Sequence, residues 1–267
     1  MCGRYASARK RIELLEEFRV ERDRVGEPLQ PDYNVAPTKP VYAVLTHGSR
    51  PAGGNQADAA AASGAAREMR VVRWGLVPSW AKDRSIASRL INARAETVAS
   101  KPAFRRAFAH RRCLLPADGY YEWQRADAGH GGVKQPYFIC RGDERPLAFA
   151  GLYELWRDPQ GSERSRGGAG ARAPEGTELP QDDERPWLWT ATIITTSAPD
   201  DLGRIHDRMP MVVQPDRWSD WLDPEGDDPA DLMPLLAPAA SAGLISYPVS
   251  TTVNSVRNNG PRLIERI

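Results

Sequence analysis

A chain of 267 residues that is 41% hydrophobic can build one generous core or two small ones, and it carries no apolar run of the roughly 18 residues needed to span a bilayer. Cysteines at 2, 113 and 140 imply no disulfide framework and fit a reducing cytoplasm, and the opening MCGRYASARKRIELLEEF has no apolar stretch of signal-peptide length. The net charge of +1 calls for no anionic partner by itself, yet Arg67 to Arg112 holds twelve Lys or Arg against three acidic residues, and Asp200 to Asp231 holds ten acidic against three basic.

Ser7 to Phe18 reads as an amphipathic helix, capped by Ser7 and with Ile12, Leu15 and Phe18 at helical spacing. Val41 to Leu45 is the first clear strand. Residues 50–66 follow, rich in Gly, Ala and Pro and poor in bulky apolar side chains, and are expected to be an insertion. Met69 to Trp74 is again strand. Ser100 to His110 reads as a helix with Pro102 in its first turn and Phe104, Ala107 and Phe108 toward the core. Tyr137 to Cys140, Leu147 to Leu152, Leu188 to Thr196 and Met211 to Val213 are short, β-branched or aromatic, and bounded by turn residues, so they read as strands. Between the second and third of these, residues 158–185 form a second expected insertion. Strands outnumber helices without βαβ alternation, which predicts an α+β fold: one domain over residues 2–267, with a mixed, largely antiparallel β core flanked by short helices.

Cys2 is chemically unusual because of its position. Removal of Met1 would expose an α-amine titrating near pH ~7.7–8.0 beside a thiol titrating near ~8.5. Such a 1,2-aminothiol condenses with an aldehyde to an imine, and the sulfur then closes a durable five-membered thiazolidine.

Six further segments share the chain with the opening Met1-Cys2-Gly3-Arg4-Tyr5. They are Tyr33 to Thr38 (YNVAPT), Trp74 to Trp80 (WGLVPSW), Ile91 to Thr97 (INARAET), Arg112 to Pro116 (RCLLP), Gly119 to Trp123 (GYYEW) and Ile205 to Pro210 (IHDRMP). In this order the set closely resembles the SOS-response-associated peptidase (SRAP) family, whose members process abasic sites; the resemblance runs from Cys2 to about Thr252.

The resemblance implies that Cys2 is the nucleophile that attacks the ring-opened sugar of an abasic site in single-stranded DNA. It implies that Asn92 positions the Cys and the sugar, that Glu122 shuttles protons, and that His206 promotes sugar ring opening and adduct reversal. Their chemistry suits these roles. A carboxyl among Tyr120, Tyr121 and Trp123 can have a raised pKa and both take and return a proton. Arg204 and Arg208 flank His206, and cations disfavour imidazolium. An amide such as Asn92 donates and accepts at once. Among DNA contacts, Arg4, Arg94 and Arg208 resemble family arginines that grip phosphates, and Asn34 resembles a residue lining the same pocket. Trp74, Trp80, Phe104 and Trp123 are candidate stacking surfaces, of which one or two are expected to touch DNA.

The cysteines and histidines show no paired CxxC and no HExxH, so no metal or other cofactor is implied. The main rival is an amino-terminal-nucleophile cysteine peptidase using Cys2 with His206 or Glu122. A non-catalytic single-strand-binding module would leave those residues without a task. The expected protein is a cytoplasmic monomer, nucleoid-associated when bound to DNA.

Overall fold

The computed structural model describes residues 2–46, 66–124, 134–158, 187–237 and 243–267. Apart from Ala66 and Asp158, the two expected insertions lie outside these residues. In chain order the strands are β1 (Tyr5–Ser7), β2 (Arg22–Asp23), β3 (Asp32–Val35), β4 (Pro40–Thr46), β5 (Arg67–Trp74), β6 (Asn92–Arg94), β7 (Arg112–Ala117), β8 (Gly119–Gln124), β9 (Gln135–Arg141), β10 (Leu147–Trp156), β11 (Leu188–Ser197), β12 (Arg208–Pro210) and β13 (Leu244–Pro248).

Apolar alternation along the central strands organises the molecule. In β4, Val41, Ala43 and Leu45 join one buried cluster while Tyr42 and Val44 join another. Strands β7 and β10 divide in the same way: Cys113, Leu115, Leu147 and Phe149 go to the first cluster, and Leu114, Ala148, Ala150 and Leu152 to the second. Successive side chains point to opposite faces, so a strand with both sets buried must lie between two layers. This is why these segments read as unbroken apolar runs.

Strand β4 pairs antiparallel with β5 and β7, β7 with β10, and β10 with β11. β11 then returns to β5 in parallel at Thr190–Arg73 and Ala191–Trp74, which closes the five strands into a barrel. A second, wholly antiparallel sheet has the order β13-β9-β8-β1-β3 and contributes Tyr5, Tyr120 and Ile139 to the first cluster. The opposite face of the barrel strands is covered by α1 (Arg11–Glu17), α2 (Arg105–His110) and the short helix Trp218–Leu222, where Phe18 stacks on Trp218 at 4.7 Å. The fold is α+β with a mixed, largely antiparallel core and short flanking helices, as expected; the parallel pairings among the described residues are β2–β5, β5–β11 and β6–β11.

Three elements differ from the sequence reading. Ser7 ends β1 instead of capping a helix, and Lys10 at the N-cap of α1 supplies no side-chain bond. Ile12 is 66% exposed, while Leu14 and Phe18, four apart, hold the buried face. Helix α2 starts at Arg105 rather than Ser100, although Phe104, Ala107 and Phe108 are buried as expected. Met211 to Val213, expected as a strand, follows β12 and wedges between β11 and β10. Its amides at Met211 and Val213 donate to Ile194 and Ala148 at 2.9 Å each.

Arg112 fastens two helices to the barrel. It is 4% exposed, and its guanidinium donates to the carbonyls of Phe108, Ala109, Trp221, Asp223 and Gly226. These carbonyls sit at or just beyond the ends of α2 and Trp218–Leu222, where no backbone partner remains and a cation is favoured. Arg112→Met would keep the aliphatic length and strand the acceptors. The expected loss is about 3 kcal/mol or more in urea unfolding, since bonds to a charged donor contribute about 1.5–3 kcal/mol each and their loss is not additive. A loss below about 1 kcal/mol would mean that solvent replaces the guanidinium easily.

Candidate active site

Pairing of β1 with β8 delivers the start of the chain to Glu122. Tyr5 lies opposite Tyr120 and Ala6 opposite Gly119, and the Tyr121 amide donates to the Arg4 carbonyl at 2.9 Å. Two further residues of that register set Gly3 across from Glu122 and carry Cys2 just beyond. Cys2 is completely buried, in the cluster that holds Tyr5, Trp74, Tyr120, Phe149 and Ile205. Its carbonyl accepts from Asn92 Nδ2 at 2.7 Å.

Asn92 is placed by β6, which runs parallel to β11 with Asn92 opposite Ile193. The Trp74 indole donates to the carbonyl of the preceding Ile91 at 2.9 Å, fixing the strand from below. The chain reaches β6 from β5 through Gly75, whose φ of +117° and approach to the Ala87 carbonyl, 2.7 Å from where a Cβ would sit, admit no side chain. Strands β6 and β12 flank the C-terminal half of β11 on opposite edges, since Thr195 pairs with both Arg94 and Pro210. That brings the Asn92–Arg94 and His206–Arg208 segments to one end of the barrel.

Burial pushes the Cys2 thiol well above its ordinary pKa, and the negative charge of Glu122 adds to the shift; a bond from the Arg4 amide opposes both. Burial also raises Glu122, to about 7, with the positive amino terminus pulling it down and Asp207 pushing it further up. Glu122 is only 4% exposed. The site thus couples a protonated thiol to a carboxyl able to exchange protons near neutrality.

His206 Nδ1 lies 3.0 Å from the Arg208 amide and 2.9 Å from an Asp207 carboxylate oxygen. One protonation state cannot serve both, because Nδ1 must accept from the amide and donate to the carboxylate. The amide is fixed by the chain, whereas the Asp207 side chain is 87% exposed, so we assign the amide bond and place the hydrogen of the neutral ring on Nε2. The environment expected from the flanking arginines is not the one found. Arg208 turns away to Glu96 and to the Thr195 carbonyl at 2.6 Å, Arg204 is exposed, and Asp207 is the charge in contact with the imidazole.

The candidate DNA contacts separate by exposure. Arg94, two residues from Asn92 and therefore on the same face of β6, is exposed. Arg208 shows 12% of its side chain and is paired with Glu96. Arg4 donates to Asn34 Oδ1 at 2.7 Å and to the Val253 carbonyl at 3.0 Å. Asn34 and Trp74 are 0% exposed, so in this conformation neither can meet a strand. The Asn34 amide is spent on the carbonyls of Val253, Ser255 and Asn258, and Trp74 packs edge-on to Tyr5 at 5.2 Å. Of the candidate stacking residues, Phe104 is core and Trp80 is 61% exposed; Trp123 lies between, its indole on Asn254 Oδ1 at 2.6 Å. The sequence reading missed the tether between Asn34 and residues 253–258 and the Glu96–Arg208 pair, although Glu96 stands two residues after Arg94 in the same motif.

The fold brings Cys2 against Asn92 and near Glu122 in the buried cluster of a small barrel. The chain belongs to the family described as SOS response associated peptidase (SRAP), whose model matches residues 1–256. It is 35% identical over 265 residues to the abasic site processing protein YoqW of Bacillus subtilis (strain 168), covering 99% of each chain. To the abasic site processing protein HMCES of Gallus gallus it is 32% identical over 299 residues, covering 99% of this chain and 77% of that one. A crystal structure of a Bacteroides thetaiotaomicron protein shares the fold with a TM-score of 0.73 at 24% identity, over 100% of both chains. Among the described residues no helix is long and apolar enough to cross a membrane.

Proposed function

We propose that this protein captures abasic sites in single-stranded DNA as a thiazolidine adduct on Cys2, after removal of Met1. The observation that carries the reading is the Asn92 bond to the Cys2 carbonyl beside a carboxyl whose pKa lies near 7. Relatives named abasic site processing proteins support the substrate class.

The reaction follows from the residues. His206 Nε2–H donates to the ring oxygen of the sugar and favours the open aldehyde. The Cys2 α-amine adds to C1, Glu122 in its acid form protonates the departing hydroxyl, and one water leaves to give the protonated imine and the Glu122 carboxylate. The thiol then adds to C1 as the C=N electrons return to nitrogen, and its proton passes to Glu122. Asn92 Nδ2 holds the Cys2 carbonyl, while Asn92 Oδ1 is buried without a partner among the described residues and suits a sugar hydroxyl. Arg94 is the exposed cation placed for a neighbouring phosphate.

The burial of the thiol, seen with Met1 still in place, favours this reading over the peptidase. A cysteine peptidase needs a thiolate ready to attack, and its surroundings lower the thiol pKa; burial and Glu122 raise it here. Chemistry that begins at the amine tolerates a protonated thiol. This reading makes the protein a monomer acting on the nucleoid in the cytoplasm, able to shield the lesion and with lyase activity through the imine. The test is incubation with a single-stranded oligonucleotide bearing one abasic site, followed by a denaturing gel and intact-mass measurement. A heat-stable band with the mass of the strand plus the Met1-less protein, minus one water, is expected. Release of the unmodified strand on denaturation would overturn the proposal.

A further inference from the structure

We propose that the Tyr120 hydroxyl is a hydrogen-bond donor to the Cys2 sulfur as the thiazolidine closes, a group this chain adds to the capture chemistry; the inference rests on the covalent reading above. Tyr120 is completely buried, and its hydroxyl has no partner among the described residues. Buried hydroxyls nearly always find partners, and one left alone in the cluster that holds a reacting sulfur is available to donate once charge develops there.

Its placement follows from the strands. Tyr120 and Glu122 alternate on β8 and share a face, and pairing of Tyr5 with Tyr120 runs β1 toward Cys2 on the same side. Tyr120 belongs to the cluster that buries Cys2, and its ring stands edge-on to Phe149 at 6.1 Å, which restricts its rotation. Burial pushes its pKa well up, and charge on Cys2 or Glu122 pushes it further. It therefore stays a hydroxyl, and a donor, when sulfur carries the charge.

The sulfur needs such a donor. In ring closure the S–H bond breaks toward Glu122, the C1–S bond forms, and the C=N electrons return to nitrogen. Negative charge builds on sulfur in a dry setting next to a carboxylate, which disfavours it. The Arg4 amide supplies one bond to the sulfur, and Asn92 Nδ2 is occupied by the Cys2 carbonyl. Tyr120 supplies the second donor. Microscopic reversibility gives it the same role when the ring reopens and sulfur leaves.

Tyr120→Phe removes one oxygen and keeps the ring. With Met1-less protein and the abasic oligonucleotide, formation of the heat-stable adduct should slow by roughly ten- to a hundredfold, the range for losing a hydrogen bond to a charged group. Imine trapped by borohydride should accumulate, and the rise of the closure rate with pH, set by Glu122, should stay where it is in the wild type. Affinity for a strand carrying a non-reactive tetrahydrofuran site should not change. The variant should melt no lower than the wild type, because the lost hydroxyl satisfied nothing. Closure at the wild-type rate would overturn the inference; so would a lower melting temperature, which would make the hydroxyl a structural anchor. Failure of the wild type to form any stable adduct would instead overturn the covalent reading itself.

Discussion

Cys2→Ala is expected to abolish the heat-stable adduct while leaving an imine. The variant, once Met1 is removed, keeps the α-amine, the Asn92 bond to the residue 2 carbonyl and the Glu122 carboxyl, so condensation with the sugar aldehyde proceeds. Without sulfur the imine has two fates, hydrolysis or β-elimination, and the second cuts the strand. Cleavage by the variant should therefore match or exceed that of the wild type, whose thiazolidine withdraws the imine from elimination. Borohydride should trap the variant on DNA, and boiling without borohydride should release it. The fold should hold, since exchanging one buried sulfur for hydrogen costs on the order of 1 kcal/mol. Retention of Met1, or a peptide fused before Cys2, should suppress both adduct and cleavage by sealing the amine. A boiling-resistant crosslink in Cys2→Ala would remove sulfur from the chemistry, and full crosslinking with a blocked terminus would remove the amine.

The strands β4, β10 and β11, buried on both faces along most of their length, were legible in the sequence, because a strand between two layers leaves a run with few charges whatever its partners; β5 is legible from Met69, Val71, Val72 and Trp74 despite its three arginines. Strands that carry the site were harder to see. β6 is three residues long and β8 is read from a motif, and each is extended because of what it pairs with, not because of its own composition. The four proposed catalytic positions come from the family resemblance carried by motif order, and the fold gathers their segments at one end of the barrel. Burial was the limit for the DNA contacts. Nothing local in WGLVPSW tells that Trp74 is enclosed and Trp80 exposed, since that depends on barrel closure through Thr190 and Ala191. Asn34 reads as a pocket residue through the family resemblance alone, and its motif cannot show the tether, because its three carbonyl partners lie more than 200 positions away. The misplaced face of α1 is a local failure, with Ile12 and Leu14 competing for one stripe on a helix of seven residues.

Glu122→Gln should slow crosslinking and stabilise the protein together. The glutamine keeps shape and hydrogen-bonding atoms but cannot exchange a proton, so imine formation loses its acid and ring closure its base. General acid–base groups contribute roughly 10²–10⁴-fold, and a decrease of that order is expected at pH 7.5 with affinity for a tetrahydrofuran strand unchanged. In the wild type, the rate of ring closure should climb as pH rises through about 7, where Glu122 becomes a carboxylate, and the variant should lack that step. Stability has the opposite sign. The folded-state pKa of about 7 stands above the ordinary carboxyl value of 4.5, so the native state binds more protons between those pH values. Glu122's contribution is thus fully favourable below about 4.5 and is lost as pH rises through 7. At pH 8 the wild type bears a buried carboxylate that the glutamine variant does not, and Glu122→Gln should be the more stable by about 1–3 kcal/mol; near pH 4 the two should converge. Gain of stability with loss of rate marks a group held at a cost for its chemistry. A variant less stable than the wild type at pH 8 would make Glu122 a structural ion-pair partner, and retention of the wild-type rate would assign proton transfer to another group.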